Sequence, residues 1–425
     1  MIHLKNGTFI NWKTLEFKTA DVFVEEGPNG KILFEKPQNL QFVKNLQIID
    51  CTGKLITKSF GNGHHHVYSS LARGMTPPKI APSNFEETLK YIWWPLDKSL
   101  TREMVQLSAL TTAIACAKRG CTFVIDHHAS PNYLKGSLEI IAQAFDLVGV
   151  SHLLCYEITD RYGDAKTQEA FEETLAYSAI NQVLVGLHAS FTVGNQTLKN
   201  AIELASKLQT GIHIHVAEDT VDQHDAQKNY KHSVVERLQK AGAFELNKNI
   251  FAHCLHLSDT EKELISLSNT YVAINTDSNL NNRVGSFNPS GIGQKIMLGT
   301  DGMHSDMLRS ARITWLEQNA QNGIQLPTVY QWFRNVHHYI NQNGFMGDGD
   351  NNLIVLDYDS PTEVTSANFI GHVFYGLESR HIQHVISSGK LIVENYVATK
   401  IDETVILQES RKLSTKLWKL MQQNG

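Results

Sequence analysis

Gly211-Ile212-His213-Ile214-His215-Val216-Ala217-Glu218 reads as an apolar β-strand that carries two histidines on one face and runs out into a carboxylate. Residues i and i+2 of an extended chain face the same way, so His213 and His215 compete for one role. We read His215 as the metal ligand, because it stands nearer the C-terminal rim and three residues before Glu218. His213 sits one layer deeper and reads as a hydrogen-bonded core histidine. Three more pieces have the same form: Gly63-His64-His65-His66, Ala252-His253-Cys254 and Gly299-Thr300-Asp301-Gly302. Each follows an apolar strand-like run and precedes polar loop. Side chains gathered at matching ends of separate strands are what a hydrolytic metal site in a (β/α)8 barrel requires.

Working outward, the middle of the chain alternates strand and helix. Expected barrel strands are Lys54–Ser59, Thr122–Asp126, His152–Tyr156, Val183–His188, Gly211–Val216, Ile250–His253, Tyr271–Ile274 and Lys295–Gly299. Most are short apolar runs, as in parallel strands covered on both faces. Helical stretches intervene at Glu103–Lys118, Leu138–Phe145, Thr197–Leu208, Val234–Ala241 and Asp259–Ser268. The expected fold class is therefore α/β, a TIM-like (β/α)8 barrel over residues 57–349. Short strands at residues 1–56 and 350–400 are expected to pair into one composite β-sandwich. Residues 401–425 read as a C-terminal helix, centred on Ser410 to Gln423. Tyr91-Ile92-Trp93-Trp94-Pro95-Leu96 is either a loop helix covering the barrel mouth or a packing element in the interior or an oligomer interface.

The bulk composition excludes several classes. The 425 residues are 42% hydrophobic and 19% charged with a net charge of −5, an ordinary globular balance without a basic surface for nucleic acid or anionic lipid. No apolar stretch approaches the roughly 20 residues of a membrane helix, and no apolar signal region opens the chain. Five cysteines (Cys51, Cys116, Cys121, Cys155, Cys254) show no paired spacing and read as buried free thiols, which points to the cytoplasm. The partner expected is a small molecule; a homodimer is compatible with the fold.

The chemistry follows from residue type and place. His64 and His66 share a face and can reach one cation, while His65 points elsewhere into a structural role. Asp301, at the end of an apolar strand, is costly unless it binds a cation or a donor. We read it as a ligand that also accepts the proton of the attacking water. His253 either binds the cation or hydrogen-bonds the nucleophile. Glu218 at the rim can shuttle a proton to the substrate. A bound divalent cation lowers the pKa of water to about 7, which suits attack on an sp² carbon. One ion per chain is expected, Zn²⁺ or alternatively Fe²⁺, since imidazole and carboxylate suit both. Arg73, Asp126, His127, His128, Glu157, Asp160 and Arg161, near expected strand ends, are further pocket candidates for a polar substrate with ring nitrogens or a carboxylate.

Along essentially its whole length the chain resembles the amidohydrolase superfamily, in the branch of aminohydrolases and chlorohydrolases. The nearest likeness is to aminohydrolases found with selenium-dependent hydroxylases. It is carried by His64 through Met75, Trp93-Trp94-Pro95-Leu96-Asp97, Asp126-His127-His128-Ala129-Ser130-Pro131, Cys155 through Arg161 and His215-Val216-Ala217-Glu218-Asp219. The resemblance implies a mononuclear site with His64, His66, His215 and Asp301 as ligands and Glu218 and His253 as the proton-handling pair. No lysine closes strand four; His188 stands there and resembles a substrate-contacting histidine. Two departures concern the turns. Lys58-Ser59-Phe60-Gly61 replaces a Pro-Gly turn, and Ile274-Asn275-Thr276 replaces His-Asn-Pro; both are expected to reshape the pocket. Tyr68-Ser69 after the histidine run is unlike the oxidised-guanine deaminases.

The implied activity is deamination of a small nitrogen heterocycle or amidine-like compound with release of ammonia. The alternatives are a hydrolytic dechlorinase or cyclic-amide hydrolase using the same attack, and, from another class, a degenerate barrel serving as a binding or scaffold module.

Overall fold

Seven of the eight expected runs become barrel strands in the computed structural model, which describes residues 1–38, 40–42 and 44–424; residue 425, at the end of the expected terminal helix, and residues 39 and 43 lie outside the described residues. The barrel strands are Phe60–His65, Cys121–His128, Ser151–Ile158, Val185–Ala189, Ile212–Val216, Ile250–His253, Tyr271–Ile274 and Ile296–Leu298, paired in parallel in that order. The ring closes where Thr300 and Asp301 donate their backbone N–H groups to the His64 carbonyl at 3.0 and 3.1 Å. Closure thus falls on the histidine run itself.

The exception is the first strand. Lys54–Ser59 was expected in the barrel, but Leu55–Lys58 belongs to the outer sheet, parallel to Thr8–Ile10 and antiparallel to Leu353–Leu356. The true first strand, Phe60–His65, is masked in the sequence by Gly61 and Gly63, which weaken the apolar signal. A Cβ on Gly61 would stand 2.6 Å from Val336 Cγ1, and one on Gly63 2.9 Å from the Leu298 carbonyl, so close backbone approach explains both glycines.

The N- and C-terminal strands join in one nine-stranded sheet, with Ile2–Ile10 at its centre beside Leu55–Lys58 and Leu353–Leu356 leading on to Ile382–Ser387. Ile2, Leu4, Val24, Ile56, Val355 and Ile386 give this sheet a core of its own. The helices on the barrel start at recognisable caps. Ser233 with Glu236, and Ser258 with Glu261, form reciprocal capping boxes that satisfy otherwise unpaired backbone N–H groups.

Inside the barrel the lower half is plugged by Phe123, Ile125, Leu153 and Met297 together with Val336, Tyr339 and Ile340 from the helix Leu326–Gln342. That apolar plug keeps water out from below and leaves the upper half to histidines. All five cysteines are buried and free. Among the described residues no helix is long and apolar enough to cross a membrane.

Candidate metal centre and active site

At the upper rim His64, His66, His215, His253 and Asp301 converge. Asp301 Oδ1 lies 3.2 Å from His64 Nε2 and 2.9 Å from His66 Nε2. His66 Nε2 lies 3.1 Å from His215 Nε2. Donor atoms held by one cation at about 2.1 Å stand roughly 3 to 3.5 Å apart, so this spacing fits a common ion. The ligating atoms of His64, His215, His253 and Asp301 all fall within 4.8 Å of one another.

Second hydrogen bonds aim the rings. His66 Nδ1–H donates to the His127 carbonyl at 2.7 Å, His215 Nδ1–H to the His188 carbonyl at 2.8 Å, and His253 Nδ1–H to Asn279 Oδ1 at 2.8 Å. Each bond leaves the Nε2 lone pair facing the centre. His64 Nδ1–H donates to His213 Nε2 at 2.8 Å, and His213 Nδ1 faces Cys155 Sγ at 3.7 Å. The deeper histidine, expected in the core, therefore sets the tautomer of His64. His64 Nε2, His253 Nε2 and Asp301 Oδ1 are buried with no hydrogen-bond partner, a state that a cation relieves.

The electrostatics agree. Burial pushes the His64 imidazole down to about 4 and holds His215 well below its ordinary value, so both are neutral with a lone pair to give. His66 behaves differently: burial opposes its charge, yet the Asp301 carboxylate lifts it to about 9. That pair calls for a positive charge between its members, a proton or a cation. Burial first, with Asp301 adding to it, raises the Glu218 carboxyl to about 7. Glu218 Oε2 stands 3.5 Å from His253 Nε2.

The backbone at these strand ends is unusual. Ala217, His253, Cys254 and Asp301 have φ of 47°, 70°, 55° and 51°, a left-handed conformation that ordinary side chains rarely adopt. Four such residues at one rim turn the strands sharply outward and direct the acid and imidazole groups back to the axis.

A cleft of about 420 Å³ opens above the cluster. His66, His188, His215, Glu218, Asn282 and Asp301 line it together with Tyr68, Asp97, Glu157, Arg161, Phe85, Leu89, Trp93 and Trp94, and Glu157 approaches His188 and His215 to within 4.8 Å. The tryptophan segment thus takes the mouth-covering position rather than an interior one. Its Leu89–Trp93 turn is π-helical, and Trp93 packs on Gly302, where an added Cβ would stand 2.2 Å from the indole.

Of the sequence-derived substrate contacts, the structure brings His188, Glu157 and Arg161 to the cleft and leaves two away from it. Arg73 is exposed after the turn Val67–Ala72 and does not line the cleft. His127 is fully buried beneath it, its Nε2 bonded to the carbonyls of Leu187 and His213 at 3.1 and 3.2 Å. The outward alternation of a strand end does not reveal which residues tuck under the rim. Asp126 accepts from the Val67 N–H, His128 bonds Ser130, and Asp160 accepts from Gly194 N–H and Thr197 Oγ1. These three hold loops.

Sequence reasoning missed the helix Thr276–Asn282. Ser278 Oγ–H donates to Asp301 Oδ2 at 2.5 Å, Asn279 holds His253, and Asn282, beside Glu218 in the cleft lining, donates to Ser278 Oγ at 3.4 Å. One short helix therefore orients two acid/base groups, Asp301 and His253. A polar run, Thr276-Asp277-Ser278-Asn279, directly after an apolar strand was the available signal. The other turn departure lies elsewhere: Lys58 is bonded to Asp348 and does not line the cleft.

With fold and site in view, the comparisons with known proteins add a family. The amidohydrolase family profile matches residues 55–332, and the chain belongs to that family. It is 27% identical over 426 residues to a 5-methylthioadenosine/S-adenosylhomocysteine deaminase of Syntrophomonas wolfei, covering 93% of each chain. It is 25% identical to a 5'-deoxyadenosine deaminase of Methanobrevibacter smithii, covering 87% of this chain and 88% of that one. Among solved structures, a zinc-bound adenosine deaminase of Xanthomonas campestris superposes with a TM-score of 0.81 at 17% identity, covering 98% of both chains. An atrazine chlorohydrolase of Arthrobacter aurescens complexed with zinc gives 0.79 at 14% identity over 97% of this chain and all of that one. These last two likenesses speak to the fold.

Proposed function

We propose that the protein is a metal-dependent aminohydrolase that removes the amino group of a small nitrogen heterocycle of the adenine kind, releasing ammonia. One observation carries this reading: four imidazole Nε2 atoms and one carboxylate oxygen converge under a cleft whose nearest acid, Glu218, stands 3.5 Å from His253. The deaminase names of full-length relatives support it.

His64, His66, His215 and Asp301 would hold one divalent cation, zinc or iron, with His253 beside it. The ion, when bound, supplies a Lewis acid that makes water a competent nucleophile near neutral pH. The Asp301 carboxylate would accept the proton that water gives, and His253 Nε2 would accept a hydrogen bond from the nucleophile. Glu218, poised near neutrality, carries a proton to the ring nitrogen next to the reacting carbon and then to the departing amine. Trp93 and Trp94 exclude bulk water from above. The five buried free thiols favour a cytoplasmic setting.

The test is an ammonia-release screen over purines, pyrimidines, pterins and triazines, run beside metal analysis. Expected are about one Zn²⁺ or Fe²⁺ per chain and a substrate whose turnover falls by about 10³-fold or more in Glu218→Gln, with the metal retained. Chloride release instead of ammonia would make the protein a dechlorinase. A full metal load without any turnover would make it a binding module.

A further inference from the structure

One wall of the cleft, reaching to His188 and His215 through Glu157, contains more acid than base. Asp97 and Glu157 stand there with side chains 3% exposed, and Arg161 between them is 10% exposed. Arg161 Nη2 donates to Glu157 Oε1 and stands 3.8 Å from Asp97 Oδ2. Its guanidinium also lies 5.1 Å from the ring centres of both Trp94 and Tyr162, which fixes its plane. Among the described residues lining the cleft there is no lysine, and Arg161 is the single arginine. Its charge is already committed to two carboxylates. The nearest lysine in the adjoining recess, Lys166, is bonded to Glu169 at 2.7 Å.

Three polar atoms on this wall are buried and unpartnered: Asp97 Oδ1, Arg161 Nη1 and Trp94 Nε1. Buried polar atoms of this kind take their partner from a water or from a ligand group. Together they offer one acceptor, on a carboxylate, and two donors, but no spare positive charge.

We infer that this wall selects the substrate by charge: the end of the substrate remote from the reacting amine is neutral or cationic, hydrogen-bonds Asp97, and carries no carboxylate or phosphate. The inference rests on the aminohydrolase reading for which end is which, and it narrows that reading to uncharged or cationic amino-heterocycles. It also replaces the carboxylate-bearing substrate that the polar residues allowed in the sequence. Burial, with Glu157 adding to it against Arg161, already raises Asp97 to about 7, so a further anion would have to be met by a further proton.

Calorimetric binding to metal-loaded Glu218→Gln protein tests this without turnover. The probe pairs are adenosine with its 5'-monophosphate, and pterin with pterin-6-carboxylate. In at least one pair the neutral member should bind about 100-fold more tightly than the anionic one, the size of one like-charge contact in a partly buried site. Adding Asp97→Asn should narrow that gap to about tenfold or less while the protein melts at an unchanged temperature; a gap that Asp97→Asn leaves untouched overturns the assignment of the wall. Anionic probes bound as tightly as their neutral partners in every pair that binds, or no neutral probe bound at all, overturn the inference. Binding in the expected order with no ammonia released by the Glu218-bearing protein sinks the aminohydrolase reading and leaves the charge rule standing.

Discussion

Replacing Lys58 by methionine should cost stability and leave the chemistry alone. Lys58 Nζ stands 2.8 Å from Asp348 Oδ1 and donates to the Asp348 and Gly349 carbonyls at 3.2 and 2.6 Å. His337 Nδ1–H donates to the other Asp348 oxygen at 2.7 Å, and the carboxylate is fully buried. Burial alone would raise Asp348, but His337 and Lys58 together hold it down at about 2. The lysine is the permanent charge of the three, since burial keeps His337 below its ordinary value. A methionine side chain would fill the space of the lysine stem and leave the carboxylate short of its counter-charge, a change that costs about 3–5 kcal/mol. For a chain of this length the unfolding entropy is about 0.9 kcal/mol/K, so the melting temperature should drop by about 3–6 °C. A group with a depressed folded pKa stabilises above its unfolded value and loses that contribution as pH falls through the folded one. The difference between wild type and Lys58→Met should therefore be full at pH 6 and fade between about pH 4 and pH 2. Differential scanning calorimetry across pH measures it, with ammonia release and metal content measured at pH 7 on the same samples. The six residue steps from Lys58 to His64 span about 20 Å when extended, so both should be unchanged. An unaltered melting temperature, or a fall in kcat/KM at full stability, would refute this.

Other perturbations probe the rim. Ser278→Ala removes the hydroxyl on Asp301 Oδ2 and should weaken zinc affinity by about 10- to 100-fold in chelator competition, with the fold intact by circular dichroism. His213→Phe removes the acceptor that sets His64, and the same assay should register a loss of similar size; unchanged affinity would make His213 mere packing. Gly302→Ala places a Cβ on Trp93 and should displace the covering segment, seen as a shift in tryptophan emission and a raised KM with metal content kept. Asp301→Ala should yield protein with little or no bound metal by elemental analysis.

Much of the barrel was legible because parallel strands covered on both faces announce themselves as short apolar runs. Ile250–His253 and Tyr271–Ile274 coincide with the strands observed. The first strand was not legible, because its glycines serve close packing against Val336 and Leu298 rather than apolar patterning. The gathering of His64, His66, His215 and Asp301 was legible because polar side chains at the ends of apolar strands are costly without a purpose. Arg73 is exposed outside the cleft, because closeness to a strand end in sequence does not say on which side of a turn a side chain leaves.

Residue type and strand periodicity announced most of the barrel and the strand ends at which the histidines, Asp301 and Glu218 gather. Only the folded chain decided which neighbours make those groups work. His213 under His64, Ser278 on Asp301, Asn279 on His253 and the acid-rich wall around Arg161 come from segments far apart in sequence. Local pattern carries the energy of burying a strand, which repeats along the chain. Hydrogen-bond direction and net charge in a cleft depend on atoms a few ångströms apart in space, and no local pattern encodes them.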